Sequence, residues 1–232
     1  MARPRAVLFD AGNTLIFLDY PRLAAGMGRV TGLPLTGAML EARAAEAARA
    51  MERAAGSDRE RAAAYLEALA LLVGVPHEAL EAVRAELYRL HAERHLWSGV
   101  HPGTAPALAR LRDAGLRLGV VSNSDGRVDS ALVAAGLRDH FEVVVDSALV
   151  GIEKPDPRIF AAALARLDVG PADALYVGDV YEVDVVGARA AGMPVALVDP
   201  LGHHAGRDVP TVPSVAALVD RLLAGDTPQP VP

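Results

Sequence analysis

Five places in this chain of 232 residues carry side chains able to do chemistry: Asp10, the pair Ser122-Asn123, Lys154, Asp179 and Asp184. Three of them close an apolar run of strand length. Asp10 follows Ala6-Val7-Leu8-Phe9, Ser122 follows Gly119-Val120-Val121, and Asp179 follows Leu175-Tyr176-Val177-Gly178. Together they offer ionised carboxylates, a hydroxyl and an ammonium. The chain has no cysteine, which excludes disulfides, thiolate metal sites and a cysteine nucleophile. Any metal must therefore sit on oxygen or imidazole ligands. Lys154 is the single lysine beside 22 arginines. A lysine ammonium is a compact point charge where arginine is a wide planar fork. Lys154 is therefore a candidate functional residue, with an ordinary surface lysine as the alternative.

The elements that must position these residues follow from the hydrophobic rhythm. Arg5–Phe9 reads as a buried strand ending in the polar turn Asp10-Ala11-Gly12-Asn13-Thr14. From Pro102 onward, strands at Arg117–Val121, Phe141–Asp146, Ala174–Val177 and Val195–Val198 alternate with helices. Such alternation predicts an α/β fold, a Rossmann-like doubly wound parallel sheet with helices on both faces. Ligands of open parallel sheets sit beyond the carboxyl ends of the strands. An acid, a hydroxyl, a lysine and two more acids then converge on one edge.

Residues 20 to about 97 read as wholly helical. Thr36 caps a helix through about Arg53, and Ser57-Asp58-Arg59-Glu60 has capping-box form. Tyr65, Leu69, Leu72 and Val73 follow at helical spacing before Gly74 stops that helix. Pro76 opens the next helix, whose apolar face is Leu80, Val83, Leu87 and Leu90. The expected organisation is an α/β core of residues 1–16 and 99–224, a helical insert of 17–98, and a disordered proline-rich tail at 225–232.

Composition narrows the function. Hydrophobic residues make up 52% of the chain, enough for a real core. A net charge of -6 argues against nucleic acid as a partner. No apolar run is long enough to span a bilayer, and the basic start lacks a signal-peptide pattern, so the expected location is cytoplasmic and off the membrane.

The ordered set of motifs resembles the haloacid dehalogenase superfamily, in its branch with a helical cap, and the likeness covers nearly the whole chain. The first motif matches Leu8-Phe9-Asp10-Ala11-Gly12-Asn13-Thr14-Leu15, the second Val120-Val121-Ser122-Asn123, behind the helix start Pro102-Gly103. The third matches Gly151-Ile152-Glu153-Lys154-Pro155-Asp156. The fourth matches Val177-Gly178-Asp179 through Asp184, with Gly187-Ala188-Arg189-Ala190-Ala191-Gly192 behind it. The insert corresponds to the family's cap, which closes over the site and selects the substrate. Gly at position 12 places the chain nearest a little-characterised, phosphatase-like branch.

The resemblance implies a magnesium-dependent phosphatase acting on a small phosphorylated metabolite, as a monomer or homodimer. Asp10 is then the nucleophile, forming an aspartyl-phosphate, since a carboxylate is ionised at neutral pH and needs no activating base. Asp10, Asp179 and the backbone carbonyl of Gly12 bind Mg²⁺, and Asp184 holds it through a water or by orienting neighbours. Ser122 and the backbone N–H of Asn123 bind a phosphoryl oxygen. Lys154 neutralises Asp10 and the transferring group.

One departure stands out. Phosphatases of this family usually carry an aspartate two residues after the nucleophile, as a proton donor; here that residue is Gly12. Asp19, His91 and His95 are the unranked candidates to replace it. Two alternatives follow: a metal-independent 2-haloacid dehalogenase, and a phosphate-binding or interaction module with little turnover. Phosphonate cleavage, which uses a cap lysine, is set aside because the insert has none. His91 and His95, one turn apart, read as a polar helix face. His203-His204 reads as a solvated pair, with a metal role the alternative. Trp97 either lines a pocket or packs the hinge.

Overall fold

The computed structural model describes residues 3–53 and 58–226. Ser57, which opens the expected capping box, and residues 227–232 of the expected tail lie outside the described residues.

The chain forms two compact units, one of Met1–Phe17 with Gly99–Pro232 and the other Leu18–Ser98. Its strands are β1 (Ala6–Phe9), β2 (Phe17–Leu18), β3 (Trp97–Gly99), β4 (Arg117–Ser122), β5 (Val143–Asp146), β6 (Ala174–Gly178), β7 (Val195–Val198) and β8 (Thr211–Val212). In the larger unit six of them make one sheet in the order β5-β4-β1-β6-β7-β8. Every pairing in it is parallel. Counted within this sheet alone the order is that of doubly wound nucleotide-binding folds, with the reversal of direction between β1 and β6. The fold class is thus a Rossmann-like α/β sheet. β1 sits at the centre, and all four of its residues are buried.

Ala6 and Leu8 share one face of the sheet with Val121, Val145 and Tyr176, under Ile159, Phe160 and Ala163 of the helix Pro157–Leu167. That helix begins where it does because Asp156 accepts from the Arg158 N–H at 2.9 Å and Pro157 is the first helical residue. Gly119 in β4 lets the strands close up, since a Cβ there would meet Val143 Cγ1 at 2.6 Å and Leu8 Cδ2 at 2.7 Å.

The smaller unit packs its own core of Leu23, Met27, Leu40, Leu69, Val83 and Leu87. Asp19 caps its first helix, Tyr20–Thr31. The helix expected from Thr36 to Arg53 is two helices, Gly37–Glu41 and Ala44–Arg53. The Arg43 N–H bonds Leu40 O, a tighter turn, and both Leu40 and Ala47 enter the core. The stretch read as wholly helical ends instead in strand β3, which pairs with β2 in a two-stranded ribbon.

Candidate active site

Asp10 stands one residue past the end of β1, where its N–H bonds Val177 O of β6 at 2.8 Å. The following turn folds back on itself: the N–H groups of Leu15 and Ile16 both bond Ala11 O at 2.9 Å, and Asn13 N–H bonds Ile16 O at 2.8 Å. Asn13 takes φ +54°, a left-handed conformation that asparagine tolerates better than most side chains. Its side chain bonds the Asp179 carboxylate.

Lys154 arrives from the loop after β5 and is buried. Its Nζ donates to Asp10 Oδ1 at 2.6 Å, to Asp184 Oδ1 at 2.7 Å and to the Tyr176 hydroxyl at 3.0 Å. Asn123 holds the loop from which it comes. Asn123 Nδ2 donates to Lys154 O at 3.0 Å, and Lys154 N–H donates to Asn123 Oδ1 at 2.8 Å. The side chain of Asn123 is thus a clamp on the lysine loop, a role the sequence did not signal.

Ser122 is the last residue of β4 and is buried, in register with Asp146 on β5. Asp146 accepts from the N–H groups of Gly126 at 3.1 Å, Val128 at 3.2 Å and Ala148 at 3.0 Å. The bonds to Gly126 and Val128 fix the loop that leaves Ser122, and the bond to Ala148 caps the short helix Ser147–Val150.

Asp179 follows β6. The chain then makes a π-helical turn, Tyr181–Val185, a form frequent at functional sites. That turn swings Asp184 back beneath the strand end. Asp184 Oδ2 accepts from the N–H groups of Asp179 at 3.0 Å and Val180 at 2.9 Å. Asp184 is therefore a brace for the Asp179 turn as well as a partner of Lys154. His204 reaches the same turn, its Nε2 donating to Asp179 O at 2.9 Å. The backbone N–H groups of His203 and His204 bond the Asp199 carboxylate at 2.9 and 2.8 Å, which fixes the loop that carries them.

Oxygens of Asp10, Asp179 and Asp184 lie within 4.8 Å of one another. Burial pushes the Asp10 carboxyl up to about 6 against the pull of Lys154, and the Asp184 charge pushes the same way. Burial, with the Asp10 and Asp184 charges, raises Asp179 well above the carboxylate range. Burial alone pulls Lys154 down, but the Asp10 and Asp184 charges outweigh it and hold the ammonium well above its ordinary value. Three crowded acids facing one ammonium leave excess negative charge, and an oxygen donor set of this kind fits a hard divalent cation.

Asp19 accepts from Arg22 N–H at 3.1 Å and pairs with Arg94 at 2.7 Å, so its carboxylate is spent on structure. His91 and His95 accept through Nδ1 from the N–H groups of Leu96 at 3.2 Å and Trp97 at 3.3 Å, beyond the end of the helix Leu80–Glu93. Trp97 packs on the core of the smaller unit. Tyr176, Asn13 and Asp146 were missed because each reads in sequence as an ordinary strand or turn residue.

Comparison with known proteins agrees with this layout. Over 223 residues the chain is 31% identical to a phosphatase of Mycobacterium tuberculosis, covering 93% of this chain and 96% of that protein. It is 41% identical over 158 residues to the mouse haloacid dehalogenase-like hydrolase domain-containing protein 3, a match spanning 65% of this chain and 62% of the relative's length. A phosphoserine phosphatase of Thermus thermophilus is 40% identical over 146 residues, covering 62% of this chain and 56% of that protein. Among solved structures, a hydrolase of Bacillus subtilis bound to magnesium superposes with a TM-score of 0.65 at 21% identity, over 95% of this chain and 99% of that one. The L-2-haloacid dehalogenase of Xanthobacter autotrophicus gives a TM-score of 0.58 at 24% identity, over 95% of this chain and 98% of that one. Fold, motif order and a family profile matching residues 4–192 thus agree, and the chain belongs to the haloacid dehalogenase-like hydrolases.

Proposed function

We propose that the protein is a magnesium-dependent phosphatase of small phosphorylated metabolites, working through an aspartyl-phosphate on Asp10. The observation that carries this reading is the meeting of Asp10, Asp179 and Asp184 around one side of a buried Lys154. A dehalogenase needs a carboxylate nucleophile and a lysine but no acid cluster. The phosphatase names borne by several relatives support the same reading.

Asp10 and Asp179, with the Gly12 carbonyl, would hold the ion, and Asp184 would keep the Asp179 turn in place. Bound magnesium supplies positive charge that offsets the repulsion between an anionic nucleophile and an anionic phosphoryl group. In the first step an Asp10 carboxylate oxygen forms a bond to phosphorus while the ester P–O bond breaks. Ser122 and the Asn123 N–H hold a phosphoryl oxygen, and Lys154 neutralises charge on Asp10 and the moving group. The departing oxygen leaves as an alkoxide or phenolate and takes its proton from water, because Gly12 carries no acid. Water then attacks phosphorus, frees Asp10 and yields inorganic phosphate.

The test is hydrolysis of p-nitrophenyl phosphate with and without Mg²⁺, by the wild type and by Asp10→Asn. Turnover that needs the ion and vanishes in the variant is the expected result. A wild type inert under both conditions, yet active on 2-chloropropionate without metal, would replace the phosphatase reading with halide displacement.

A further inference from the structure

A lysine ammonium carries three N–H donors and no acceptor. In Lys154 all three are used, on Asp10 Oδ1, Asp184 Oδ1 and the Tyr176 hydroxyl. Two of the acceptors are carboxylates with roles in the proposed reaction. The third is a neutral oxygen on a fully buried side chain.

Tyr176 can serve as that acceptor because its own proton has somewhere to go. Its hydroxyl lies 3.0 Å from Asp184 Oδ1 and 3.2 Å from Val121 O. The ring has little freedom, since Phe160 packs edge-on against it with centroids 4.8 Å apart and planes at 80°. A hydroxyl on a fixed ring is a fixed point in a site otherwise made of mutually repelling acids. Two carboxylates attract the ammonium but do not determine its rotation about the line between them. A third, rigid acceptor does.

We infer that Tyr176 is a positioning residue, whose hydroxyl takes the third N–H of Lys154 and so sets the aim of the ammonium between Asp10 and Asp184. The catalytic consequence of this role rests on the phosphatase reading above; the structural role does not. Removing the hydroxyl leaves a buried N–H of a charged donor without its partner. The ammonium then leans further onto Asp10 and masks the nucleophile, or recruits a mobile water and loses its fixed aim.

The test uses Tyr176→Phe, which keeps the ring and deletes one oxygen. Lys154 is the only lysine in the chain. Isotopic labelling of lysine nitrogen therefore gives a single side-chain ammonium signal in an NMR spectrum. In the wild type that signal is expected to exchange slowly with water. In Tyr176→Phe it is expected to shift and exchange about tenfold faster, with kcat on an aryl phosphate falling about tenfold and KM staying within about twofold. Phe160→Leu serves as the control: it loosens the same packing without touching the hydrogen bond. It should lower Tm and leave the ammonium signal in place.

An ammonium signal in Tyr176→Phe that matches the wild type overturns the inference. So does an equal disturbance in Phe160→Leu, which would make the effect one of packing. Should Tyr176→Phe fail to fold, the wild type still decides, because an ammonium exchanging as fast as free lysine has no third acceptor. A wild type without phosphatase turnover would sink the functional reading alone, and the ammonium measurement would still judge Tyr176.

Discussion

Gly178 and Asp184 occupy adjoining space: a Cβ on Gly178 would lie 2.3 Å from Asp184 Cγ and 2.7 Å from its Cβ. The end of β6 is bare so that the π-helical turn can bring this carboxylate under it. A Gly178→Ala protein must push Asp184 away from Lys154 and from the Asp179 and Val180 N–H groups. The expected cost is about 1–3 kcal/mol of stability from overpacking, together with a higher magnesium requirement. Thermal melts and a magnesium titration check this, and wild-type behaviour in both would contradict it.

The raised Asp10 carboxyl predicts a pH dependence whose sign is unusual for an aspartate. Its ordinary value is 3.8 and its folded value about 6. Below both values the group is protonated in either state and costs nothing. Between them the unfolded chain releases the proton and the folded protein keeps it, so stability falls as pH rises through this window. Asp10→Asn imitates the protonated group. Without metal, the variant should match the wild type below about pH 3 and exceed it at pH 7 by on the order of 3 kcal/mol. Magnesium should reverse the order at pH 7, because it binds the ionised form. Parallel melting curves for the two proteins across pH would refute the point.

His204 supports the Asp179 turn from outside. Its bond to Asp179 O restrains the segment that carries a proposed ligand. His204→Ala should weaken magnesium binding by roughly tenfold, a typical effect of losing an outer partner. Calorimetric titration would measure it, and an unchanged Kd would mean that the Asp184 brace suffices alone.

On the proposed mechanism, Gly12 should make the rate depend on the leaving group. With no acid to protonate the departing oxygen, about 10²–10⁴-fold of general acid catalysis is absent. A series of phosphate esters should therefore show kcat/KM falling steeply as leaving-group pKa rises, with aryl phosphates well ahead of sugar phosphates. A flat series would reveal another proton donor. The Asp19 carboxylate is already engaged by Arg94 and the Arg22 N–H.

Much of the site was legible in order rather than in any one motif. Asp10, Ser122 and Asp179 each close an apolar run, and parallel strands deliver their last residues to a common edge. Val195–Val198 was bounded to the residue because a short apolar run sits between a glycine turn and Asp199. The edge strand Thr211–Val212 was missed, being too short to show alternation. The break at Ala42-Arg43 was missed because nothing local interrupts the helical pattern there; the demand comes from burying Leu40 and Ala47 together.

The sequence by itself determined the sheet, its parallel sense and the residue types at its edge, since apolar periodicity and strand-end position are local properties of the chain. Only the tertiary structure decided how those residues divide the work. Tyr176 reads as one more apolar strand residue until the fold stands it beside Lys154, 22 positions away. Asn123 reads as a turn residue until it clamps a loop 31 positions on. His204 reads as solvated until its loop folds against Asp179. A hydrogen bond needs its two atoms within about 3 Å and correctly aligned, and for residues far apart in sequence only the packed fold supplies that geometry.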